Sequence, residues 1–181
     1  IQFIGRAHER NYKMTNRTPY TTIMVSGGFD PIHVGHVRMI LAAADLGNVI
    51  VVVNSDDWLM RKKGYIFMPF DERIEIIRSI TGVTDIVSVN DSDGTVCSAL
   101  RLIKPDMFGN GGDRNNQNTP EKALCKELGI EMKWNLGGGK IQSSSDLVKD
   151  AGLQPGRLDA EFEDLLAPEK SIILRGKNCD S

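Results

Sequence analysis

Two hydrophobic periods alternate along the chain. Thr21–Ser26 (TTIMVS) and Val49–Val53 (VIVVV) are short apolar runs, the second β-branched throughout. A run of that kind marks a strand buried on both faces. Between them Val34–Leu46 carries apolar residues at helical spacing and closes at Gly47, read as a C-cap. Ser55-Asp56-Asp57 can cap a short helix through Met60. Asp71–Ile80, apolar at 74, 76, 77 and 80, predicts another helix, and Asp85–Val89 a strand. Gly94–Ile103 predicts a helix stopped before Pro105, followed by a short strand over Asp106–Gly109. Thr119 caps Pro120–Leu128, with Gly129 at the stop. Ile130–Trp134 predicts a strand and Ser143–Ala151 a final helix. Strands alternating with helices imply a parallel α/β sheet.

The pattern weakens at both ends. Residues 1–20 read as an N-terminal extension, with Met14 a candidate natural start, and 21–152 as one domain. Residues 153–181 read as a C-terminal extension in which Leu158–Leu166 predicts a short acidic helix. A chain of 181 residues suits one compact domain able to bury a core without staples. The formal net charge of −2 gives no global drive towards nucleic acid. Cys97, Cys125 and Cys179 are scattered, without a CxxC pair. They read as reduced thiols of a cytoplasmic protein, Cys97 and Cys125 as small helix residues. No run approaches the ~18 apolar residues of a membrane span. The expectation is a cytoplasmic protein with neither a nucleic-acid nor a membrane partner.

Candidate chemistry concentrates after the first predicted strand. Gly27-Gly28-Phe29-Asp30-Pro31 lies at its carboxyl end, where parallel α/β sheets bind ligands. Glycine there lets a ligand approach the backbone. His33 and His36 flank Gly35 at the start of a helix, whose N–H groups and dipole favour phosphate. Two of the three histidines of the chain thus share one turn. Imidazoles three apart share a helix face and can donate to non-bridging phosphate oxygens. Neither need act as a base, because a phosphate monoester nucleophile is already ionised. A metal pair is the alternative, but no carboxylate or third histidine of the expected kind stands nearby.

The string GGFDPIHVGH resembles the HxGH signature of the cytidylyltransferase-like nucleotidyltransferase superfamily, and His33-Val34-Gly35-His36 fills that motif. The resemblance implies a Rossmann-like three-layer sandwich with a five-stranded parallel sheet. It also implies direct in-line transfer of a nucleotidyl group from an NTP, carrying Mg²⁺, to a phosphate, with pyrophosphate released. It places His33 and His36 at the reaction and Gly28, Phe29, Asp30 and Gly35 around the nucleotide.

Later segments extend the likeness. Val53-Asn54-Ser55-Asp56-Asp57 resembles the VNSD segment of heptose-phosphate adenylyltransferases and glycerol-phosphate cytidylyltransferases. Arg61-Lys62-Lys63-Gly64 follows, read as a cationic flexible loop in which Lys63 matches the family's catalytic phosphate-binding lysine. Asn54 and Lys62 become candidate substrate contacts. Arg73, in a segment resembling the family's E-x-R helix opening, is expected to touch substrate phosphate or a partner subunit. Pro105–Asp113 resembles the KPD…KGGD segment, with Asn110 where lysine is frequent, and assigns Gly111 and Asp113 to the nucleotide. Gly137-Gly138-Gly139-Lys140 fails the P-loop pattern, since Ile141 follows the lysine. Ser143-Ser144-Ser145 is the better phosphate candidate, resembling the ISTT/ISST motif with Gln142 in place of Ile or Cys. Lys140 is a candidate replacement for the Arg-Thr pair that the cytidylyltransferases carry nearby. No resident metal ligand is expected. ATP with a sugar-phosphate such as heptose 1-phosphate is the favoured pair. Glycerol-3-phosphate cytidylyltransferase comes next. Nicotinamide-mononucleotide or pantetheine-phosphate adenylyltransferases, and a non-catalytic nucleotide-binding module, follow. A homo-oligomer, a dimer, is the expected assembly.

Overall fold

The computed structural model describes residues 2–6, 21–112, 119–139 and 142–152, the first of these as backbone. At its centre β2 (Thr22–Gly27) lies parallel to β3 (Asn48–Val53), in register from Thr22 opposite Asn48 to Gly27 opposite Val53. β4 (Val83–Ser88) extends the sheet beyond β3, while β5 (Met107–Gly111) and β6 (Glu131–Leu136) extend it beyond β2, all parallel. These are the five parallel strands that the alternation of elements predicts. A sixth strand, β1 (Gln2–Arg6), runs antiparallel along β4, giving the order β1-β4-β3-β2-β5-β6. Five residues are too few for a periodicity to be read, so this edge strand lies in what the sequence presents as an extension.

Alternate side chains of the strands feed two cores. Ile23, Val25, Val49, Val51 and Val53 pack with α1 (Val34–Ala44) and α3 (Phe70–Ser79) on one face. Met24, Ile50, Val52 and Phe108 pack with α4 (Cys97–Ile103) and α5 (Lys122–Leu128) on the other. The result is a three-layer sandwich, and the buried valine run of β3 belongs to both cores. Cys97 and Cys125 are indeed small helix residues with free thiols. Burial raises the Cys125 thiol to about 11, which leaves it protonated and inert. No described helix is long and apolar enough to cross a membrane.

Several helix ends differ from their expected places. α1 stops at Ala44, with Asp45 as C-cap. Gly47 serves a close approach instead, because a Cβ there would lie 2.5 Å from the Thr21 carbonyl oxygen. α2 (Asp56–Lys63) runs one turn longer than expected and takes Arg61, Lys62 and Lys63 into its last turn. The basic segment is therefore helix and not flexible loop; Gly64, at φ 78, supplies the left-handed C-cap. Three cations also suit the carbonyl end of a helix dipole. α5 begins at Lys122, since Thr119–Glu121 form a turn in which Lys122 N donates to Thr119 O at 3.2 Å. α6 (Ser144–Asp150) starts at its Ser143 cap. The helix expected over 158–166 lies outside the described residues.

Strand order reverses at β2: the chain moves outward through β3 and β4, then returns to add β5 and β6 on the other side. Loops leaving β2 and β5 must diverge there, which opens a crevice beyond their carboxyl ends.

Candidate active site

That crevice is a cleft of about 300 Å³. Its wall on the β3 side comes from α2, through Trp58, Lys62 and Lys63. The wall on the β5 and β6 side is mostly backbone, Gly109–Gly112 and Leu136–Gly139, and is closed by Ser143–Ser145 at the start of α6. Gly28, Phe29 and the α1 start, with His33, Gly35 and His36, form the floor between the two walls. Eleven of the residues expected at the nucleotide, the reaction or the substrate are thereby brought together: Gly28, Phe29, His33, Gly35, His36, Lys62, Lys63, Gly111 and the three serines. Asp113 and Lys140 lie outside the described residues.

The two histidines cap their own helix reciprocally. Gly35 N donates to His33 Nδ1 at 3.1 Å, and His33 N donates to His36 Nδ1 at 3.3 Å. Each Nδ1 is thus an acceptor, so in the neutral ring the proton sits on Nε2. The rings stack with centroids 3.8 Å apart. Phe29 meets His36 edge-on at 5.0 Å; it is buried and holds a left-handed φ of 53. Burial, then the charges of His33 and Lys63, push His36 down to about 3. His36 is therefore neutral near pH 7 and offers an N–H donor, not a positive charge.

Lys63 Nζ donates to the Asp30 carbonyl oxygen at 2.5 Å. Burial lowers its pKa, with Asp30 opposing and Lys62 and Arg73 adding to the fall. Ser143 caps α6, its hydroxyl oxygen accepting from Asp146 N at 3.1 Å. Ser144 Oγ donates to the Pro31 carbonyl at 2.9 Å, which ties α6 to the histidine loop. Ser144 therefore acts first as a tether. In the glycine wall, a Cβ at Gly137 would come within 2.6 Å of Met39 N, and the φ of 79 there also favours glycine.

Three expected site residues turn away from the cleft. Arg73 is fully buried. Its guanidinium donates to Met68 O at 3.0 Å, Gly28 O at 2.6 Å and Asn54 O at 2.9 Å, and it pairs with the Asp56 carboxylate. These contacts draw the guanidinium inward, so it organises the loops after β2 and β3 and is absent from the cleft lining. Asn54 is also buried, with Nδ2 donating to Asp91 at 3.1 Å. Asp30, buried too, accepts from Phe67 N at 2.9 Å and Met68 N at 2.6 Å, which fixes the loop after α2.

Sequence reasoning missed Asp91 and Trp58. Asp91 takes Ser55 N at 2.8 Å and Ser55 Oγ at 2.7 Å, while its carbonyl accepts from Arg61 at 2.8 Å. It thus anchors both ends of α2, but the contacts span thirty residues or more and leave no local signal. Trp58 did have one: Lys62 follows it by four, a spacing that stacks side chains on a helix. Asn110 lines the cleft from β5, its amide N–H groups facing the Phe108 and Lys133 carbonyls at 3.4 Å. Among the described residues no cluster of His, Cys, Asp or Glu could hold a metal ion.

Comparison with known proteins gives a consistent result. The model of a family described as cytidylyltransferase-like matches residues 24–135. The bifunctional protein HldE of Streptomyces coelicolor is 38% identical over 117 residues, which is 62% of this chain and 25% of that protein. The chain thus spans about a quarter of the length of that relative. The FAD synthase of Pyrococcus abyssi is 28% identical over 113 residues, 61% of this chain and 76% of that one. Among solved structures, the lipopolysaccharide core biosynthesis protein of Thermoplasma volcanium superposes with a TM-score of 0.53 at 25% identity. It covers 63% of this chain and 93% of its own.

Proposed function

The chain belongs to the cytidylyltransferase-like family, and on that premise we propose that it transfers a nucleotidyl group from an NTP, ATP by preference, to a sugar-phosphate such as heptose 1-phosphate. An oxygen of the acceptor phosphate attacks the α-phosphorus, the bond to the β-phosphate breaks, and pyrophosphate leaves. Nε2–H of His33 and of His36 donate to the non-bridging α-oxygens, where charge builds up. Lys62 and Lys63 neutralise phosphate on the α2 wall, and hydroxyls at the start of α6 hold the distal phosphates of the NTP.

The observation that carries this reading is the pair of tautomer-locked imidazoles on the floor of the switch-point cleft. A neutral N–H donor costs less desolvation on meeting phosphate than a charged one would. The described cleft offers no carboxylate for a resident ion. Mg²⁺ enters with the NTP, held by its phosphates, and adds charge neutralisation there.

The favoured donor and acceptor rest on the Asn54 and Gly111–Asp113 segments; the kinship with HldE proteins is in keeping with them. The deciding experiment crosses four NTPs with heptose 1-phosphate, glycerol 3-phosphate and nicotinamide mononucleotide, following pyrophosphate. ATP with heptose 1-phosphate is expected to give the highest kcat/KM. CTP with glycerol 3-phosphate as the best pair would move the assignment to the cytidylyltransferases. Failure of every pair to release pyrophosphate would leave a nucleotide-binding module without turnover. Light scattering is expected to give the mass of a dimer.

A further inference from the structure

We infer that Trp58 positions the Lys62 ammonium, making Lys62 and Lys63 a two-cation seat for the phosphate of the acceptor; that the phosphate belongs to an acceptor rests on the nucleotidyl-transfer reading. Neighbouring residues on an α-helix point about 100° apart. Lys62 and Lys63 should therefore face different ways, yet both line the cleft. Each is held there by a different device. Lys63 is drawn to the Asp30 carbonyl oxygen. Lys62 Nζ stands 4.2 Å from the centre of the Trp58 ring, one helical turn earlier.

The ring itself is fixed. Trp58 is 8% exposed, its backbone N–H donates to Ser55 Oγ at 3.0 Å, and Nε1 donates to Gly94 O at 3.3 Å. Gly28 packs beside it, since a Cβ there would lie 3.3 Å from the indole. A lysine laid on an immobile π face has surrendered much of its rotamer freedom before ligand binds, which favours binding by preorganisation.

Topology separates this seat from the nucleotide wall. α2 follows β3 on one side of β2, and the glycine-rich segments follow β5 and β6 on the other, with the histidines between them. Among the described cleft residues, lysines occur only on the α2 wall. A dianionic phosphate monoester fits that wall; a neutral or merely carboxylate acceptor gains less from two ammonium groups.

The test measures inorganic phosphate binding by phosphorus NMR, and ATP binding in parallel by equilibrium dialysis. Trp58→Leu is expected to weaken phosphate about five- to tenfold, with ATP affinity unchanged, and Trp58→Phe to recover most of the loss. Equal phosphate affinity in Trp58→Leu and the parent, or an equal loss for phosphate and ATP, would overturn the inference. A second measurement guards against a Leu variant that does not fold. The chain has two tryptophans, so Trp134→Phe leaves Trp58 as the only indole reporter. Phosphate should change its emission saturably as the ammonium shifts, and adding Lys62→Met should abolish the change. An identical response with and without Lys62 would refute the seat. A phosphate response that survives in a protein inactive with every NTP and acceptor would keep the seat and remove the nucleotidyl-transfer reading.

Discussion

Replacing Arg73 separates two roles that predict different outcomes. Arg73→Met keeps most of the side-chain volume and removes the guanidinium. The carbonyls of Met68, Gly28 and Asn54 then lose their donor, and Asp56 loses its ion pair. Each buried carbonyl left without a partner costs about 1–3 kcal/mol. Asp56 adds less, because its side chain is 35% exposed and water can take over. Relief from burying a charge offsets part of the total, since an isolated buried cation is itself costly. A net loss of about 3–4 kcal/mol is expected, and with it a melting temperature roughly 10 °C lower. Arg73→Lys should fall between, as one ammonium cannot serve four acceptors. Urea unfolding at constant m-value gives the first number and calorimetry the second. Gly28 and Asn54 carry the loops that frame the cleft, so kcat should fall more than NTP affinity. Loss of less than 1 kcal/mol, with a raised KM for the acceptor as the main effect, would refute the internal role and restore a substrate contact.

Further outcomes follow from the same geometry. His36→Ala should lower kcat about 10²- to 10³-fold while NTP binding stays within a few fold, as steady-state and dialysis measurements will read; near-normal turnover would remove the histidine from the reaction. Acid stability should depend on the same ring. His36 falls from the usual 6.5 to about 3 on folding, so between those values the unfolded chain binds a proton that the folded one refuses. Stability then drops as pH falls through that window, by up to about 1.4 kcal/mol per unit from this group, and His36→Ala should flatten that part of the slope in urea titrations. Gly137→Ala should cost about 1–2 kcal/mol from its φ alone and weaken NTP binding further by pushing the glycine wall off α1; an unchanged NTP affinity would mean the wall does not touch nucleotide.

Legibility in the sequence followed the range of the interactions. The five parallel strands and the histidine turn were readable because their signals are local: a β-branched run in β3, and a motif within four residues at the start of α1. Arg61–Lys63 was misplaced because three adjacent charges look like solvated loop; only the turn conformation of Gly64 reveals that the helix continues through them. The internal bonds of Arg73 were not legible because a cation near a phosphate site is normally read as a ligand contact, and nothing nearby announces that carbonyls 45 and 19 residues upstream will claim it. Asp91 was invisible for the same reason. The glycine wall of the cleft was the least legible part, since it is largely main chain and glycine offers no side-chain chemistry to interpret.

On the proposed reading the reciprocal cap divides each imidazole between two tasks, Nδ1 holding the helix and Nε2 donating to the α-phosphate. These tasks can be inherited separately. Asparagine at position 33 could present its amide oxygen where Nδ1 now accepts, and it is among the best residues for starting a helix. Such a descendant would keep the turn, the helix and the shape of the cleft while losing a donor to the transition state. On that reading, the first step from catalyst towards mere nucleotide receptor is one substitution long in this architecture, and it would leave no trace in the backbone.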